Sequence, residues 1–387
     1  MKKEPSSGDV GRAAQIIRAF GDDSQHCLTL NPGNSYFFGS GVCGVIAYTL
    51  TGKNAMSQGN PACRFEDMAW LTDEYIAFCK SRGYRPVFNS VSAEMADLLA
   101  ERNFSVLKYG EEAILNLESY TLAGGKKGTL RRNVAKLDRA GVYLEEYRPE
   151  ERRNPVLEEE IAKLEEQWFA DKKLKLTYSV GDLQFEKPYG RRYFITRDAE
   201  ATLLTVLSFL PYKEGKGYCV DVMYRKLDGP TGAMEHAIIS AAMKMKDDGV
   251  KEISLNIAPL AGIDVTDPDT DRLQELLHVI YNQMDFGYDF KNLYRFKSKF
   301  DPTAWKERYL VYDKKVSPVR LATSITRTKG AVDVGLYMRY KRFFVSWLLF
   351  PNRYREQGEE PQMDHTQQYQ RTTFAGKYSG SRKRRRF

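Results

Sequence analysis

The stretch Tyr218-Cys-Val-Asp-Val-Met-Tyr-Arg225, with the turn Asp228-Gly-Pro-Thr-Gly232 behind it and a helix-patterned run up to Gly249, decides the fold. Tyr218, Val220, Val222 and Tyr224 alternate with Cys219, Asp221, Met223 and Arg225, the period-2 signature of a strand with two different faces. On that pattern Asp221 and Arg225 point the same way. The turn carries two N-cap candidates, Asp228 and Thr231, and opens onto a helix. Ala233, Met234, Ala237, Ile238, Ala241, Ala242 and Met245 form its apolar stripe, and Gly249 closes it. Lys251 to Asn256 reads as a second strand, followed by the apolar turn from Ile257 to Gly262. Where a strand runs through glycines into a helix, unpaired N–H groups and the positive end of the helix dipole favour an anion or a developing oxyanion. A plain βαβ unit, with Gly229 and Gly232 serving only the turn, fits the same spacing, since no strict phosphate-loop or dinucleotide fingerprint is present.

Working outward, the same order of elements occurs earlier in the chain. A helix from Phe65 to Arg82 ends at Gly83, a strand from Arg85 to Ser90 follows, and a second helix runs from Ala93 to Arg102. Its later counterparts are the helix ending at Gly249, the strand from Lys251 and a helix from Thr270 to Met284. Two copies of one α/β unit follow from this. A short helix from Val10 to Phe20 precedes them. Phe104 to Lys108 and Ala113 to Leu117 read as separate strands joined by a linker holding Glu111 and Glu112. Between the copies, Gly124-Gly-Lys-Lys-Gly-Thr-Leu-Arg-Arg-Asn133 leads into a helix closed by Gly141. Its cations suit phosphates or make a solvated helix end. An acidic helix spans Val156 to Ala170, and strands are expected at Tyr193 to Ile195 and Ala201 to Phe209. Leu293 to Phe300 alternates as a strand with Arg295, Lys297 and Lys299 on one face, an anion groove or a charged sheet edge. Val334 to Phe350 is aromatic and basic, which suits an interfacial or a docking helix, and Arg382 to Arg386 is a basic run.

The 387 residues are enough for two domains and a tail, and 59 basic against 51 acidic side chains give a net charge of +8 that favours an anionic partner. Five cysteines with no CxxC spacing argue against a disulfide framework or a zinc site and for a reducing cytoplasm. No segment approaches the ~20 apolar residues of a membrane span, and Met1 to Gly8 lacks a signal-peptide core, so any membrane contact is expected to be peripheral. The expected divisions are a lead over 1–30, a first unit over 31–150, a second unit over 151–315 and an aromatic, basic extension over 316–387.

Several motifs together resemble the phosphatidylglycerol lysyltransferase C-terminal domain family. They are Lys108-Tyr-Gly-Glu-Glu-Ala113, Leu130-Arg-Arg-Asn133, Val220-Asp-Val-Met223, Ser254-Leu-Asn-Ile-Ala-Pro-Leu-Ala-Gly262 and Phe296-Lys-Ser-Lys-Phe-Asp-Pro302, with Trp305 and Arg308-Tyr309. The resemblance implies an α/β fold of two fused acetyltransferase-like (GNAT) units, each a mixed sheet flanked by helices, with the basic tail appended. It implies transfer of an aminoacyl group from aminoacyl-tRNA, as co-substrate, to a hydroxyl of an anionic membrane lipid, with no other cofactor, no metal and no DNA. In that family the second unit carries the chemistry, through positions matching Asp221, Lys297 and Lys299, while Glu112, Arg131 and Arg308 also match. Family members place an arginine directly after the strand methionine. Here Tyr224 fills that slot and Arg225 follows it, a one-residue offset that reverses the face in a regular strand. Many relatives also carry an N-terminal multi-span portion.

An aminoacyl ester is already activated, so positioning, proton removal and oxyanion stabilisation are what remain to be supplied. The catalytic candidates are Asp221, Arg225 and Lys297. The substrate-binding candidates are Glu112, Arg131, Arg132, Gly229, Gly232, Asn256, Lys299 and Arg308. An aspartate's ordinary pKa of about 3.9 favours an orienting role for Asp221 over that of principal base. His236 falls opposite the apolar stripe of its helix and is expected at the surface. The competing readings are an acyl-CoA-dependent N-acyltransferase using acetyl-CoA, for which Lys226 to Thr231 is a degenerate pyrophosphate loop, and a non-catalytic RNA- or membrane-binding module.

Overall fold

Helix α1 (Ser7–Phe20) starts at a capping box in which Ser6 and Asp9 satisfy each other's backbone N–H groups. Its apolar residues Ala13, Ile16 and Ile17 are buried against Leu210, Tyr212 and Cys219, so the lead is packed onto the later part of the chain. Strands β1 (Ser35–Phe38), β2 (Val45–Thr51) and β3 (Asn54–Gln58) form a meander, α2 (Met68–Ser81) crosses to β4 (Arg85–Val91), and α3 (Ala93–Ala100) leads to β5 (Ser105–Asn116). Next come α4 (Gly128–Arg139), β6 (Tyr143–Tyr147), α5 (Pro155–Ala170), β7 (Arg192–Arg197), β8 (Leu203–Tyr212), β9 (Gly217–Arg225), α6 (Ala233–Asp247), β10 (Glu252–Pro259), α7 (Phe290–Ser298) and β11 (Ala304–Tyr312). These come from a computed structural model that describes residues 6–170, 183–263, 290–316 and 321. The helix expected from Thr270 to Met284 and the aromatic, basic extension with its Arg382 to Arg386 run lie outside the described residues.

One mixed sheet contains all eleven described strands, in the order β1-β2-β3-β4-β11-β5-β10-β9-β8-β7-β6. Two neighbouring pairs are parallel, β3 with β4 and β9 with β10, and each is joined by a crossover helix, α2 or α6. That is the expected repeat, and the fold is the expected pair of fused acetyltransferase-like units flanked by helices. The last strand closes the seam between them. β11 lies between β4 and β5 and is antiparallel to both.

Several elements differ from the sequence reading. β5 is one continuous strand, and Gly110 to Glu112 are paired with β10 and β11 rather than forming a linker. Leu293 to Phe300 is not a strand. Residues 290–298 are helical, and since residues two apart on a helix diverge by about 200°, Arg295, Lys297 and Lys299 do not share a face. Arg295 and Lys299 are exposed while Lys297 is buried. β3 and β6 carry no clear alternation and went unread.

A core cluster under α4 and α6 contains Phe194, Phe209, Val220, Ile238, Leu255 and Phe300, and another under α2 and α3 contains Tyr75, Phe88, Leu99 and Val311. The connection from α7 to β11 is fixed where the buried Tyr120 hydroxyl donates to the Phe300 carbonyl at 2.6 Å. Tyr120→Phe leaves that carbonyl without its partner in an apolar setting. A loss of about 1–3 kcal/mol is expected in urea unfolding.

Candidate active site

β9 and β10 pair only from Gly217 to Cys219 against Glu252 to Ser254, and beyond that point they separate. Two irregularities produce the separation. Against β8, β9 carries one extra residue between Val220 and Met223, and the Val222 N–H donates to Ser208 Oγ at 3.1 Å. Against β5, β10 shifts register between Ser254 and Ile257, where Asn256 has φ of +66°. The Asn256 side chain spans the gap. Its Nδ2 donates to the Val220 carbonyl at 3.1 Å, and its Oδ1 accepts from the Ile257 N–H at 2.7 Å.

The extra residue resolves the alternation in a way the sequence pattern does not. Tyr218 and Val220 face the α6 core, whereas Val222 and Tyr224 face α5, and Met223 returns to the α6 side. The Tyr224 hydroxyl donates to Glu165 of α5 at 3.0 Å. Asp221, Met223, Tyr224 and Arg225 all line one cleft of about 590 Å3. Its other walls are the turn from Gly229 to Gly232 with the first residues of α6, Leu293 and Phe296 from α7 with Lys299 just after it, and Trp168 and Phe169 from α5. The Arg225 guanidinium stands 5.5 Å from the centroid of the Trp168 ring. Asp221 is 6 % exposed at the base of this cleft.

The helix entry also differs from expectation. Gly232, not Asp228 or Thr231, is the N-cap, with φ of +89° and no side chain capping the first turn of α6. A Cβ there would stand 3.1 Å from Cβ of Asn133, so the left-handed backbone and the close approach of α4 both require glycine. Gly229 closes its own turn, its N–H donating to the Lys226 carbonyl at 3.2 Å. That bond uses an N–H group that a pyrophosphate loop offers to its ligand. His236 is buried, contrary to its expected surface position. α4 covers that side of α6, and Asp138 Oδ1 lies 2.8 Å from His236 Nε2.

Lys297 does not line the cleft. It reaches under the β10 irregularity, and its Nζ donates to the carbonyls of Asn256 at 2.9 Å and Ile257 at 2.6 Å. Burial pushes its ammonium down to about 7, against the opposing pull of Cys219 and Glu112. Lys299 lies at the rim and donates to Glu235 at 3.0 Å. Glu112 and Arg308 form a buried cluster behind the site. Arg308 donates through Nε and Nη2 to Glu112 at 2.9 and 2.5 Å and through Nη1 to Asp23 at 2.8 Å. The second Glu112 oxygen accepts from the Ser254 hydroxyl, and Ser254 Oγ accepts from the Asn256 N–H at 2.9 Å. Arg131 and Arg132 stand apart on exposed faces of α4, donating to the Leu122 carbonyl and to Thr129.

Asp23, Ser24, Gln25, Ser208 and Trp168 were missed. Gln25 donates to Asn256 Oδ1 at 3.4 Å and accepts from Gln58 at 2.8 Å, tying the lead to both parallel strand pairs. Nothing in their local sequence marks them, because their partners lie far along the chain. Among the described residues no three of the His, Cys, Asp and Glu side chains gather as a metal-binding set. No described helix is long and apolar enough to cross a membrane. None of the five cysteines is in a disulfide.

Sheet order, paired crossovers and a cleft where parallel strands part define a protein of the tandem acetyltransferase-like class. The family described as "Phosphatidylglycerol lysyltransferase, C-terminal" matches residues 14–312, and the chain belongs to that family. It is 26% identical over 328 residues to a phosphatidylglycerol lysyltransferase of Bacillus subtilis, covering 83% of this chain and 37% of that protein. The chain thus spans little more than a third of the length of such relatives. The solved L-PGS structure from Bacillus licheniformis superposes with a TM-score of 0.73 at 22% identity, covering 85% of this chain and 98% of that one. The C-terminal domain of a putative lysylphosphatidylglycerol synthetase from Agrobacterium fabrum gives 0.71 at 22% identity, covering 85% and 99%.

Two outcomes follow for the buried charges. Arg308→Met leaves Asp23 and Glu112 without their cation and is expected to cost about 3–5 kcal/mol in urea unfolding at neutral pH. Burial alone would raise the Asp23 carboxyl, but Arg308, with His26, holds it below its ordinary 3.8. That stabilisation is present above 3.8 and lost as the pH falls through the lower folded value, so the gap between wild type and variant narrows on acidification. Lys297 acts in the other direction. Its folded value of about 7 lies below the ordinary 10.5, so the unfolded chain binds the extra proton and stability rises with pH across that window. Lys297→Met is expected to flatten this rise in denaturation series taken between those limits.

Proposed function

We propose that the chain is an aminoacyltransferase that moves an aminoacyl group from aminoacyl-tRNA to a hydroxyl of an anionic membrane lipid such as phosphatidylglycerol. Family membership supports the reaction class. The observation that carries it to particular residues is the convergence of Asp221, Arg225, Lys299 and an uncapped helix start on one cleft at the β9/β10 separation.

The acceptor hydroxyl oxygen attacks the ester carbonyl carbon, the new ester bond forms, and the ribose oxygen of the tRNA leaves, taking up the proton the acceptor gives. Electrons and atoms balance without a redox partner. Asp221, at the base of the cleft, orients the acceptor hydroxyl or the ammonium of the aminoacyl group. The N–H groups at the start of α6 face the position where negative charge develops on the carbonyl oxygen. Arg225, held over Trp168, and Lys299 supply positive charge at the rim. Lys297 acts through the backbone, pinning the β10 irregularity so that the strands stay apart. The Glu112, Arg308 and Ser254 cluster holds the other end of the same irregularity. In this reading Arg225 supplies the cleft's cation one residue after the usual slot, beside Tyr224, which borders the same cleft with its hydroxyl turned to Glu165. Association with the membrane is peripheral and the site works in the cytoplasm.

The test is incubation of the full chain with radiolabelled aminoacyl-tRNAs and total lipid, with thin-layer separation of the products. Labelled lipid is expected with wild type. Asp221→Asn, which keeps the shape and removes the charge, is expected to lower kcat/KM by roughly 10²-fold or more. Absence of labelled lipid with every aminoacyl-tRNA, or full activity in Asp221→Asn, overturns the assignment.

A further inference from the structure

The two units open their parallel strand pairs in the same way. Ser90 and Asn256 each stand seven residues after the glycine that closes the crossover helix, Gly83 or Gly249, and both have a left-handed backbone, with φ of +61° and +66°. In the second unit the opening is the cleft. In the first unit the chain fills it with its own lead, where Asp23, Ser24, Gln25 and His26 are all buried. Beyond Gln58, where β3 ends, the Asn60 N–H donates to Asp23 Oδ2 at 3.4 Å, and the Asn60 carbonyl oxygen lies 2.9 Å from His26 Nε2. A Cβ on Gly59 would stand 2.8 Å from Gln25 Cβ, so the lead is seated directly on the end of the strand.

Gln25 joins the filled opening to the open one through four side-chain amides in a row. Asn89 Nδ2 donates to Gln58 Oε1 at 2.6 Å, and Gln58 Nε2 donates to Gln25 Oε1 at 2.8 Å. Gln25 Nε2 donates to Asn256 Oδ1 at 3.4 Å, and Asn256 Nδ2 to the Val220 carbonyl at 3.1 Å, one residue before Asp221. The last member fixes the sense of the row. Asn256 meets a backbone acceptor at Val220 and a backbone donor at Ile257, which leaves its amide one orientation. Gln25 must then turn its NH2 to Asn256 and its oxygen to Gln58, and Gln58 and Asn89 follow. The head of the row bears the cost, since among the described residues nothing donates to the buried Asn89 Oδ1. Aligned amides polarise one another, and this row ends on the strand that carries Asp221.

We infer that Gln25 is a positioning residue for the cleft, holding the Asn256 side chain across the β9/β10 gap and, through it, the Val220 carbonyl and the Asp221 that follows. Lys297 and Ser254 grip the backbone of the β10 irregularity, whereas Gln25 is, among the described residues, the side chain bonded to the Asn256 amide itself. The first unit is the fixed support of the row, and its own opening is closed by Asp23 to His26. Gln25 touches no reacting atom. The consequence for turnover rests on the proposed function, and the hold on Asn256 does not.

The test uses the full chain and two readouts, one of which needs no turnover. Gln25→Met keeps the length of the side chain and removes both of its bonds in the row. Thr72→Ala, which removes a buried hydrogen bond within α2, is the control for a merely structural loss. Hydrogen exchange of the peptide from Glu252 to Pro259 is expected to be faster in Gln25→Met than in wild type and unchanged in Thr72→Ala. In the lipid-labelling assay, run below the thermal melts of all variants, Gln25→Met is expected to lower kcat about tenfold with KM for both substrates unchanged, as misplacement without lost binding does. Asn256→Gly suits the left-handed backbone and removes the amide. If Gln25 acts through that amide, the double variant Gln25→Met/Asn256→Gly loses no more kcat than Asn256→Gly alone. Should Gln25→Met fail to fold, Asn89→Leu cuts the row at its head and removes the bare acceptor, and a smaller loss of the same sign is expected. Wild-type kcat in the variant that folds, a raised KM with kcat intact, or losses that multiply in the double variant overturn the inference while labelled lipid keeps the transferase reading. A wild-type chain that labels no lipid removes that reading, and hydrogen exchange then decides this one alone: faster exchange in the row variant than in Thr72→Ala upholds the hold on Asn256, and equal exchange overturns it.

Discussion

Arg308 bridging Asp23 and Glu112 is the interaction on which the rest of the structure depends. The three side chains come from β11, from the lead after α1 and from the middle of β5, and all are buried. Each charge alone would be costly at that depth, so the arginine is tolerated only if both carboxylates arrive and the carboxylates only if the arginine does. Burial opposes the charge on Arg308, but Asp23 and Glu112 reverse that and hold its pKa well above the ordinary guanidinium value. The cluster thereby specifies that β11 enters the sheet between β4 and β5 in one register. A chain with two similar α/β units has other ways to pair its edge strands, and a buried charge requirement discriminates among them.

From that cluster the specification passes by direct contacts to the cleft. Glu112 accepts from Ser254, Ser254 accepts from the backbone of Asn256, and Asn256 spans to Val220 one residue before Asp221. Lys297 secures the same irregularity from the other side. The parting of β9 from β10 is thus built from bulges and buried polar bonds rather than from loops. Under the proposed function such a cleft holds its geometry before any substrate arrives, which is what a reaction limited by positioning requires. α4 belongs to the same assembly, seated on Gly232 and His236.

Much of the architecture was legible because it rests on short-range periodicity. The α6 stripe from Ala233 to Met245, the glycine that ends it, and the repeated helix–strand order around Gly83 and Gly249 all report local backbone preference and one-sided burial. The run from Leu293 to Phe300 shows where that reasoning fails. Its aromatic and basic residues alternate from Tyr294 to Lys297 as in a strand, yet tertiary contact makes it a helix that turns Lys297 into the sheet and sets the Tyr294 ring, tilted, 4.8 Å from that of Trp305. Composition at period 2 does not exclude a helix when two of its faces meet different surroundings.

By itself the sequence determined the class of fold, the repeated unit, the strand bearing Asp221 and the helix start beside it, because each is written in residues near one another. Only the tertiary structure decided that Tyr224 turns its hydroxyl to Glu165 while bordering the same cleft as Asp221 and Arg225, beside an extra residue in β9 whose partner, Ser208, lies on another strand. Only it decided that Lys297 supports the site from beneath, that Glu112 is buried rather than displayed on a linker, and that His236 is covered. The physical reason is common to all of these. A side chain's charge state, exposure and direction depend on what is brought against it from distant parts of the chain, and local pattern carries no record of those partners.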